Sequence, residues 1–285
     1  MIETGPLLTP YFGNINMFEL DPRKNYTMPA HFGARPRSPK ASMWYHDITS
    51  MTISYRTDRE RLARYLPAPF KVAEDAIVKV TYACNKQVDW LAGHGYNLIS
   101  VSTAANFHGD EETLSGDYTL VIWENLADPI LTGRELQGIP KVYADIDEHR
   151  VIAGDWHVHA GHFGHKFLDM DISSLREPTA EEISERAKAG EGKDNPMGWR
   201  FMPGLLGFGQ SINEFVIYPS ETQIKEAWVG EGILEWQYLS WEQNPTQFHI
   251  INALQELPIE EYLPALVARG STNLILPERP PRAIK

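Results

Sequence analysis

Cysteine is almost missing from this sequence of 285 residues, which contains one, Cys84. A single thiol cannot form an intramolecular disulfide, so we expect a protein of a reducing compartment and predict a cytoplasmic location. The sequence also has no run of 18 apolar residues, and it begins without a basic stretch that leads into an apolar one. We therefore predict neither a membrane-spanning helix nor a signal peptide.

Positive charge is scarce as well. Lysine and arginine total 26 against 38 aspartates and glutamates, which gives a formal charge of -12. Such a surface repels phosphate backbones and, more weakly, anionic membranes, so nucleic acid and membranes are not expected partners.

Long helical patterns are few, and short alternating segments prevail instead. Between residues 51 and 241, strands are predicted at 51–55, 76–82, 97–105, 118–123, 151–159, 213–218, 222–229 and 233–241. This pattern predicts a mainly β (α+β) protein, an antiparallel barrel or cone with a few peripheral helices. Residues 1–43, rich in proline and glycine, are predicted to be an arm on a single domain of residues 44–285. We expect the arm to pack on the domain or on a neighbouring chain, and therefore predict a homo-oligomer.

Three helices are predicted. Capping boxes at Thr57–Glu60 and Thr179–Glu182 indicate two helix starts, and Gly190 is the expected end of the second. The third helix is predicted at residues 259–269, before Gly270.

The densest chemical signal is the segment from Gly133 to Lys141, which ends in Ile139-Pro140-Lys141. Proline fixes its own φ and cannot donate to a sheet, so a rigid turn precedes the lysine. Burial disfavours an ammonium, and a lysine held among apolar side chains therefore carries more of the neutral amine that attacks carbonyl groups. On composition alone, a surface lysine at a strand start is the plainer interpretation.

With its flanking motifs, this segment resembles the acetoacetate decarboxylase superfamily. The resemblance extends over roughly residues 44–277, and Gly133–Lys141 is its most specific part. The other motifs in the same order are Tyr55–Asp58, Leu66-Pro67, Gly116-Asp117-Tyr118, Lys225–Gly230, Glu256–Pro258 and Leu276-Pro277. The resemblance implies the β barrel or cone, a site in its apolar interior, and a Schiff base on Lys141 without cofactor or metal.

Three positions depart from the family pattern. Decarboxylating members have a second lysine directly after the first, and here that residue is Val142. A family glutamate falls on Leu98, and a family arginine falls near Ile48, with His46 as a nearby polar group. We therefore expect desolvation, rather than a neighbouring cation, to favour the neutral amine, and we expect a substrate other than acetoacetate.

The remaining candidates surround Lys141. Tyr96, Glu124 and His46 are candidates for proton transfer. Arg134 and Glu135 are predicted to form a buried ion pair that supports the lysine segment. The side chains expected to line the substrate pocket are Trp123, Leu98, Ile139 and Val142.

Four histidines at positions 157, 159, 162 and 165 suggest a metal site as an alternative. His157 and His159 share one strand face and could hold a metal. The opposing interpretation, a polar strand face turned to solvent, is the one we adopt.

Three functions remain open. The first is a lyase that decarboxylates a small or medium β-keto acid through a lysine Schiff base. The second is a Schiff-base aldolase or dehydratase (hydratase) that acts on a 2-oxo acid. The third is a ligand-binding relative without catalysis.

Overall fold

The computed structural model describes residues 18–36, 40, 42–184, 196–276 and 278–285. Contacts divide the chain into two units, residues 1–38 and residues 39–285. In the first unit, a 3₁₀ turn spans Ala30–Phe32, and the Phe18 and Tyr26 rings meet edge to face with centroids 6.1 Å apart.

The second unit is built on one large sheet. Its strands are β1 Trp44–Arg56, β2 Phe70–Val72, β3 Ile77–Val88, β4 Tyr96–His108, β5 Thr113–Glu124, β6 Lys141–Tyr143, β7 Asp145–Ile146, β8 Arg150–Ile152, β9 Asp155–His162, β10 His165–Arg176, β11 Met197–Pro203, β12 Gln210–Ile217, β13 Glu221–Trp236, β14 Glu261–Tyr262, β15 Ala265–Asn273 and β16 Arg282–Ile284.

Helices are few and short. They are α1 Arg59–Ala63, α2 Ala127–Thr132, α3, described over residues 180–184, and α4 Phe248–Gln255. A π-helical turn, Gly133–Gln137, follows α2 directly, and further 3₁₀ turns lie at Asp89–Leu91 and Leu205–Gly207. None of the helices in the described ranges is long and apolar enough to cross a membrane.

The main path of the sheet runs β16-β12-β11-β5-β4-β3-β1-β15-β13-β10-β9-β7. Its pairs are antiparallel except β5 with β11 and β5 with β6, so the prediction of a mainly antiparallel β fold is confirmed. Alternate residues of the long strands form one large core cluster. Four of its fully buried members are Ile53, Ile99, Trp123 and Met170. Each such side chain stabilises the fold by about 1.5–3 kcal/mol.

Two predictions of where strands end near glycines are wrong. The sequence predicts separate strands at 222–229 and 233–241, whereas β13 continues without a break through Gly230 and Gly232. A Cβ on Gly230 would lie 2.4 Å from the Ser173 carbonyl oxygen, so glycine there allows close strand contact and does not mark a turn. Conversely, the predicted strand 151–159 is two strands, β8 and β9, divided by Ala153 and Gly154 with φ of 52° and 97°.

The helix predictions were partly wrong. Residues 259–269 form β14 and the first half of β15, because Pro264 interrupts a helix and Ala265 and Val267 alternate inward. The α4 helix was not predicted. At α1 the cap is Asp58, whose carboxylate accepts from the Arg61 amide at 2.7 Å, instead of Thr57.

The capping box of α3 is present. The Glu182 carboxylate accepts from the Thr179 amide at 2.8 Å, and the Thr179 hydroxyl accepts from the Glu182 amide at 3.2 Å. The predicted end at Gly190 and the motif residue Pro277 lie outside the described residues.

Candidate active site

Lys141 begins β6, a three-residue strand that lies parallel to β5 with Lys141 beside Ile122. The whole residue is 8% exposed. The turn before it is fixed by two backbone hydrogen bonds, from the Ile139 amide to the Gly133 carbonyl at 3.1 Å and from the Lys141 amide to the Ile139 carbonyl at 2.8 Å. Ile139 itself is buried in this turn.

Two oxygen atoms lie next to the lysine Nζ. The Glu124 Oε1 lies 2.8 Å from it, and the Pro129 carbonyl oxygen accepts a hydrogen bond from it at 3.1 Å. Glu124 is fully buried at the end of β5, so solvent reaches the ion pair only through the small exposed fraction of Lys141. The carboxylate therefore stands where it can take a proton from the amine or return one.

Burial raises the pKa of Glu124 above its ordinary value of 4.5, and the positive charge of Lys141 and its hydrogen bond oppose that rise. Lys141 is the one charged group that acts on this carboxyl among the described residues. Within the same ranges, Oε2 accepts no hydrogen bond although it is buried. Oε1 is likewise buried without a hydrogen bond in these ranges and has only its 2.8 Å ion-pair contact with Nζ, so Oε2 is the oxygen that has no contact with the amine.

Strand alternation places this pair on the side of the sheet opposite the main core. Trp123 packs in that core against Phe167 and Trp236, with ring centroids 5.1 and 6.1 Å away, and the next residue, Glu124, faces the other way. Leu98 stands opposite Glu124 in the β4–β5 ladder. The pair thus lies on the face of β5 that is turned away from the main core cluster, and it is buried there.

Leu98 belongs to a second, smaller apolar cluster centred on Tyr45, Val88 and Tyr96. We call this group the small cluster. It holds Tyr96 on the same face as Leu98, two residues earlier on β4. The predicted proton-transfer candidate Tyr96 and the wall residue Leu98 are therefore brought to the same face as Glu124.

The α2 helix and the π-helical turn cover Lys141. A Cβ on Gly133 would lie 2.6 Å from the Lys141 Cδ and 2.7 Å from its Cε, so the lysine chain lies directly against this glycine. Gly138 ends the turn with φ of 70°, and a Cβ there would lie 2.2 Å from the Arg200 Cβ. These two glycines let the covering segment approach β6 and β11 closely.

The predicted buried ion pair of Arg134 and Glu135 is wrong. Arg134 is exposed and donates to the Lys141 carbonyl at 2.9 Å, while the Glu135 carbonyl accepts from Arg200 at 2.9 Å. In a π-helical turn, successive side chains point in different directions and do not meet each other. Arg134 still supports the segment, through the backbone of Lys141.

Three other candidates lie away from the pair. The His46 side chain is 48% exposed, because His46 follows the buried Tyr45 on β1 and points to the other side of the strand. It forms a 3.0 Å contact with Asp89. Trp123 and Val142 are register partners that both face the main core, so neither lines the space beside the amine. The structure thus removes His46 from proton transfer and removes Trp123 and Val142 from the pocket wall.

The sequence does not single out three side chains of this region, Tyr45, Trp90 and Gln247. The Tyr45 hydroxyl lies 3.1 Å from that of Tyr96, and the Trp90 Nε1 donates to Tyr45 at 3.1 Å. Gln247, from the loop before α4, accepts from the Trp123 Nε1 and donates to the Tyr143 carbonyl, both at 2.8 Å, and so holds β5 and β6 together. These contacts join residues far apart in the chain, and no local sequence pattern signals them.

Two of the four histidines, both on β9, contact a single carboxylate each. His157 contacts Asp171, and His159 lies 3.8 Å from Asp147. No group of three or more histidine, cysteine, aspartate or glutamate side chains suited to a metal occurs in the part of the chain that the structure describes.

Comparison with known proteins matches residues 27–274 to the family model described as acetoacetate decarboxylase. The acetoacetate decarboxylases of Burkholderia ambifaria and Burkholderia multivorans are each 26% identical over 220 residues, which cover 74% of this chain and 80% of theirs.

Solved structures resemble the fold at lower identity. The acetoacetate decarboxylase of Legionella pneumophila has a TM-score of 0.68 at 17% identity and covers 86% of this chain and 88% of its own. An acetoacetate decarboxylase-like enzyme from Sphingomonas wittichii RW1 gives 0.65 at 17%, covering 86% and 93%. The enduracididine biosynthesis enzyme MppR, complexed with pyruvate, gives 0.63 at 13%, covering 90% and 95%.

Proposed function

This chain belongs to the acetoacetate decarboxylase family and is a lyase, and we propose that it acts through an iminium ion between Lys141 and a carbonyl substrate. The observation that carries the proposal is the buried pair of Lys141 and Glu124, 2.8 Å apart. The pair supplies a nucleophile and a proton carrier in direct contact.

The steps follow from this contact. The Lys141 ammonium passes a proton to Glu124, and the free amine attacks the substrate carbonyl carbon. Glu124 returns the proton to the carbonyl oxygen, takes one from the nitrogen, and protonates the hydroxyl that departs as water. An iminium then replaces the ammonium beside the same carboxylate, and the net charge of the buried site is unchanged. The Pro129 carbonyl, 3.1 Å from Nζ, helps to orient the amine.

The first candidate reaction is decarboxylation of a small or medium β-keto acid. The C–C bond to the carboxylate breaks, CO₂ leaves, and the electron pair passes into the iminium to give an enamine. Protonation of the enamine and hydrolysis release a ketone and restore Lys141. The names of the Burkholderia relatives support this reaction.

A second candidate is an aldol-type reaction of a 2-oxo acid, including loss of water. Retro-aldol cleavage requires a base at a hydroxyl group, whereas loss of CO₂ does not. The buried Oε2 of Glu124, which accepts no hydrogen bond among the described residues, favours this second candidate.

Borohydride trapping tests the Schiff base. Wild-type protein incubated with acetoacetate or pyruvate and borohydride should gain one reduced adduct, located on Lys141 by peptide mass spectrometry. Lys141→Arg should yield no adduct and no turnover, because the guanidinium retains a cation beside Glu124 but cannot form an iminium. Lys79→Ala is the matched control, since Lys79 also pairs with a carboxylate at 2.8 Å but is 38% exposed. An adduct on another lysine, or turnover by Lys141→Arg, would refute the proposal.

Cytoplasmic location and assembly into a homo-oligomer remain predictions from the sequence. The single cysteine supports the first, and exposed apolar side chains in residues 18–36 support the second.

A further inference from the structure

Two tyrosine hydroxyls meet on the face that carries the buried pair. Tyr45 is 3% exposed and Tyr96 is 6% exposed, and their hydroxyl oxygens lie 3.1 Å apart. The Trp90 indole N–H donates to the Tyr45 oxygen at 3.1 Å. We call Tyr45 and Tyr96 the tyrosine pair.

The register of β4 and β5 places the tyrosine pair near Glu124. Leu98 stands directly opposite Glu124, and Tyr96 precedes Leu98 by two residues on the same face. Tyr96 and Glu124 are therefore diagonal neighbours, whose backbones lie about 7–8 Å apart and within reach of long side chains. The side chain of Leu98 makes the surface between them apolar.

Hydrogen counting leaves one donor unused in the tyrosine pair. Two hydroxyls carry two hydrogens, and the single contact between them uses one. The indole of Trp90 occupies a lone pair of Tyr45 and takes up no hydrogen. Among the contacts of the described residues, the other hydroxyl hydrogen has no acceptor. Burial raises the pKa of both tyrosines, so both hydroxyls retain their protons.

Glu124, on the same face of the sheet, carries an acceptor without a partner. The Glu124 Oε2 is buried and accepts no hydrogen bond from the described residues, while Oε1 contacts the Lys141 Nζ. A hydroxyl group is the simplest partner for such an arrangement, because it donates one hydrogen bond and accepts another.

From this complementarity we propose that the substrate carries a hydroxyl group on the carbon β to its reacting carbonyl. The hydroxyl donates to the Glu124 Oε2 and accepts from the tyrosine pair, while Oε1 contacts the iminium N–H. This inference rests on the proposed Schiff base at Lys141. It assigns Tyr45 and Tyr96 as substrate-binding residues that select a β-oxygen.

The reaction that follows is a balanced retro-aldol cleavage. Glu124 removes the hydroxyl proton, the oxygen forms a carbonyl, and the bond between the α and β carbons breaks. Its electron pair moves through the α carbon to the iminium nitrogen and forms an enamine. The protonated Glu124 then delivers the proton to the α carbon, and water hydrolyses the iminium to release a ketone.

Two ketones that differ by one hydroxyl test the proposal. The rate of cyanoborohydride trapping on Lys141 is measured with 4-hydroxybutan-2-one and with butan-2-one, and formaldehyde release from the former reports cleavage. Wild type should trap the hydroxy ketone about tenfold faster, as expected for a hydrogen bond to a buried partner. In Tyr96→Phe and in Tyr45→Phe the ratio of the two rates should fall to about one.

Tyr82→Phe is the matched control, because Tyr82 is a fully buried tyrosine of the main core whose hydroxyl accepts from the His149 amide at 3.0 Å. It should keep the wild-type ratio. Equal rates for the two ketones in wild type, or a wild-type ratio in both tyrosine variants, would overturn the hydroxyl subsite and leave the Schiff base standing. If neither ketone forms an adduct on Lys141 while acetoacetate or pyruvate does, the hydroxyl subsite is overturned and the Schiff base stands. If none of the four carbonyl compounds forms an adduct on Lys141, the proposed function fails and this inference fails with it.

Discussion

The Lys141 ammonium and the Glu124 carboxylate lie 2.8 Å apart, with 10% and 0% of their side chains exposed. Two buried charges that face each other offset part of their lost hydration, and removal of one leaves the other uncompensated. The contact that we assign to catalysis is therefore also a contact on which the fold depends.

Lys141→Ala is expected to lower the free energy of unfolding at neutral pH by about 3–5 kcal/mol, because it leaves a buried carboxylate alone. Without the lysine, the pKa of Glu124 rises further above its unfolded value. Part of the lost stability therefore returns as the pH falls below the folded-state pKa and the carboxyl is protonated. Urea unfolding at pH 7 and pH 5 measures the difference, and Lys141→Met combined with Glu124→Leu should recover most of the stability. A single variant as stable as wild type at pH 7 would contradict this.

Glu124→Gln is expected to change the pH dependence of iminium formation. In wild type the trapping rate should fall as the pH drops through the raised pKa of Glu124, at a midpoint above 4.5, because a protonated carboxyl cannot take the lysine proton. The amide has no such titration, so the acidic limb should vanish and the plateau rate should fall by about 10²–10⁴-fold. Glu135→Gln, in the covering turn, serves as the control. An acidic limb that survives in Glu124→Gln would assign it to another group.

The sequence predicts Lys141 as the Schiff-base lysine, but it indicates Glu124 only as one of three candidates for proton transfer. The lysine stands in a nine-residue segment with a specific order, whereas Glu124 is simply the last residue of an apolar strand. Its importance depends on the parallel pairing of β5 with the short β6. Likewise, Tyr45 and Tyr96 are 51 residues apart, and only the pairing of β1, β3 and β4 brings them together.

Among the elements, the covering segment of α2 and the π-helical turn controls the amine most directly. Gly133 has φ of -66° and ψ of -42°, a helical conformation that alanine adopts readily. The contact that opposes a larger residue is with the flexible end of the Lys141 side chain. Glycine at this position therefore serves the position of the amine more than the conformation of the helix.

Gly133→Ala is expected to displace the lysine end from Glu124 and the Pro129 carbonyl while the protein remains folded. A displacement of about 1 Å can cost roughly 10²-fold in rate, so borohydride trapping should slow to that extent. The melting temperature should change little. Leu131→Ala, an exposed residue of α2, should leave both quantities as in wild type. Normal trapping by Gly133→Ala would show that this contact does not hold the amine.

The elements also show where sequence patterns fail. Strands with strict alternation, such as Met51–Tyr55, were predicted correctly because their inward residues form the core. The segment 259–269 reads as a helix by composition, but Pro264 and pairing with β1 and β13 make it extended. Tertiary pairing decides such segments, and local propensity does not record it.

At the scale of the whole molecule, residues 18–36 expose several large apolar side chains. Leu20 is 63% exposed, Met28 81% and Phe32 82%. Apolar groups concentrated on one short segment are typical of a surface that is covered by another chain.

We expect light scattering to give a mass that is a multiple of 32.4 kDa across working concentrations. Met28→Ser combined with Phe32→Ser should lower that mass if these side chains lie in the contact. Leu205→Ser, at an exposed position in the 3₁₀ turn between β11 and β12, is the control. A monomer in the wild type would refute the prediction.

The alternation of Trp123 and Glu124 has a consequence for laboratory evolution. Because neighbouring positions of β4 and β5 face opposite sides, a randomised library confined to Leu98, Ser100 and Ile122 leaves the main core untouched. Most members of such a library should still fold, and selection would then act on substrate choice alone. A library of the intervening residues would mostly select for survival of the fold. Alternate residues along these strands therefore divide into one set whose substitution can change specificity and one set whose substitution disturbs the fold.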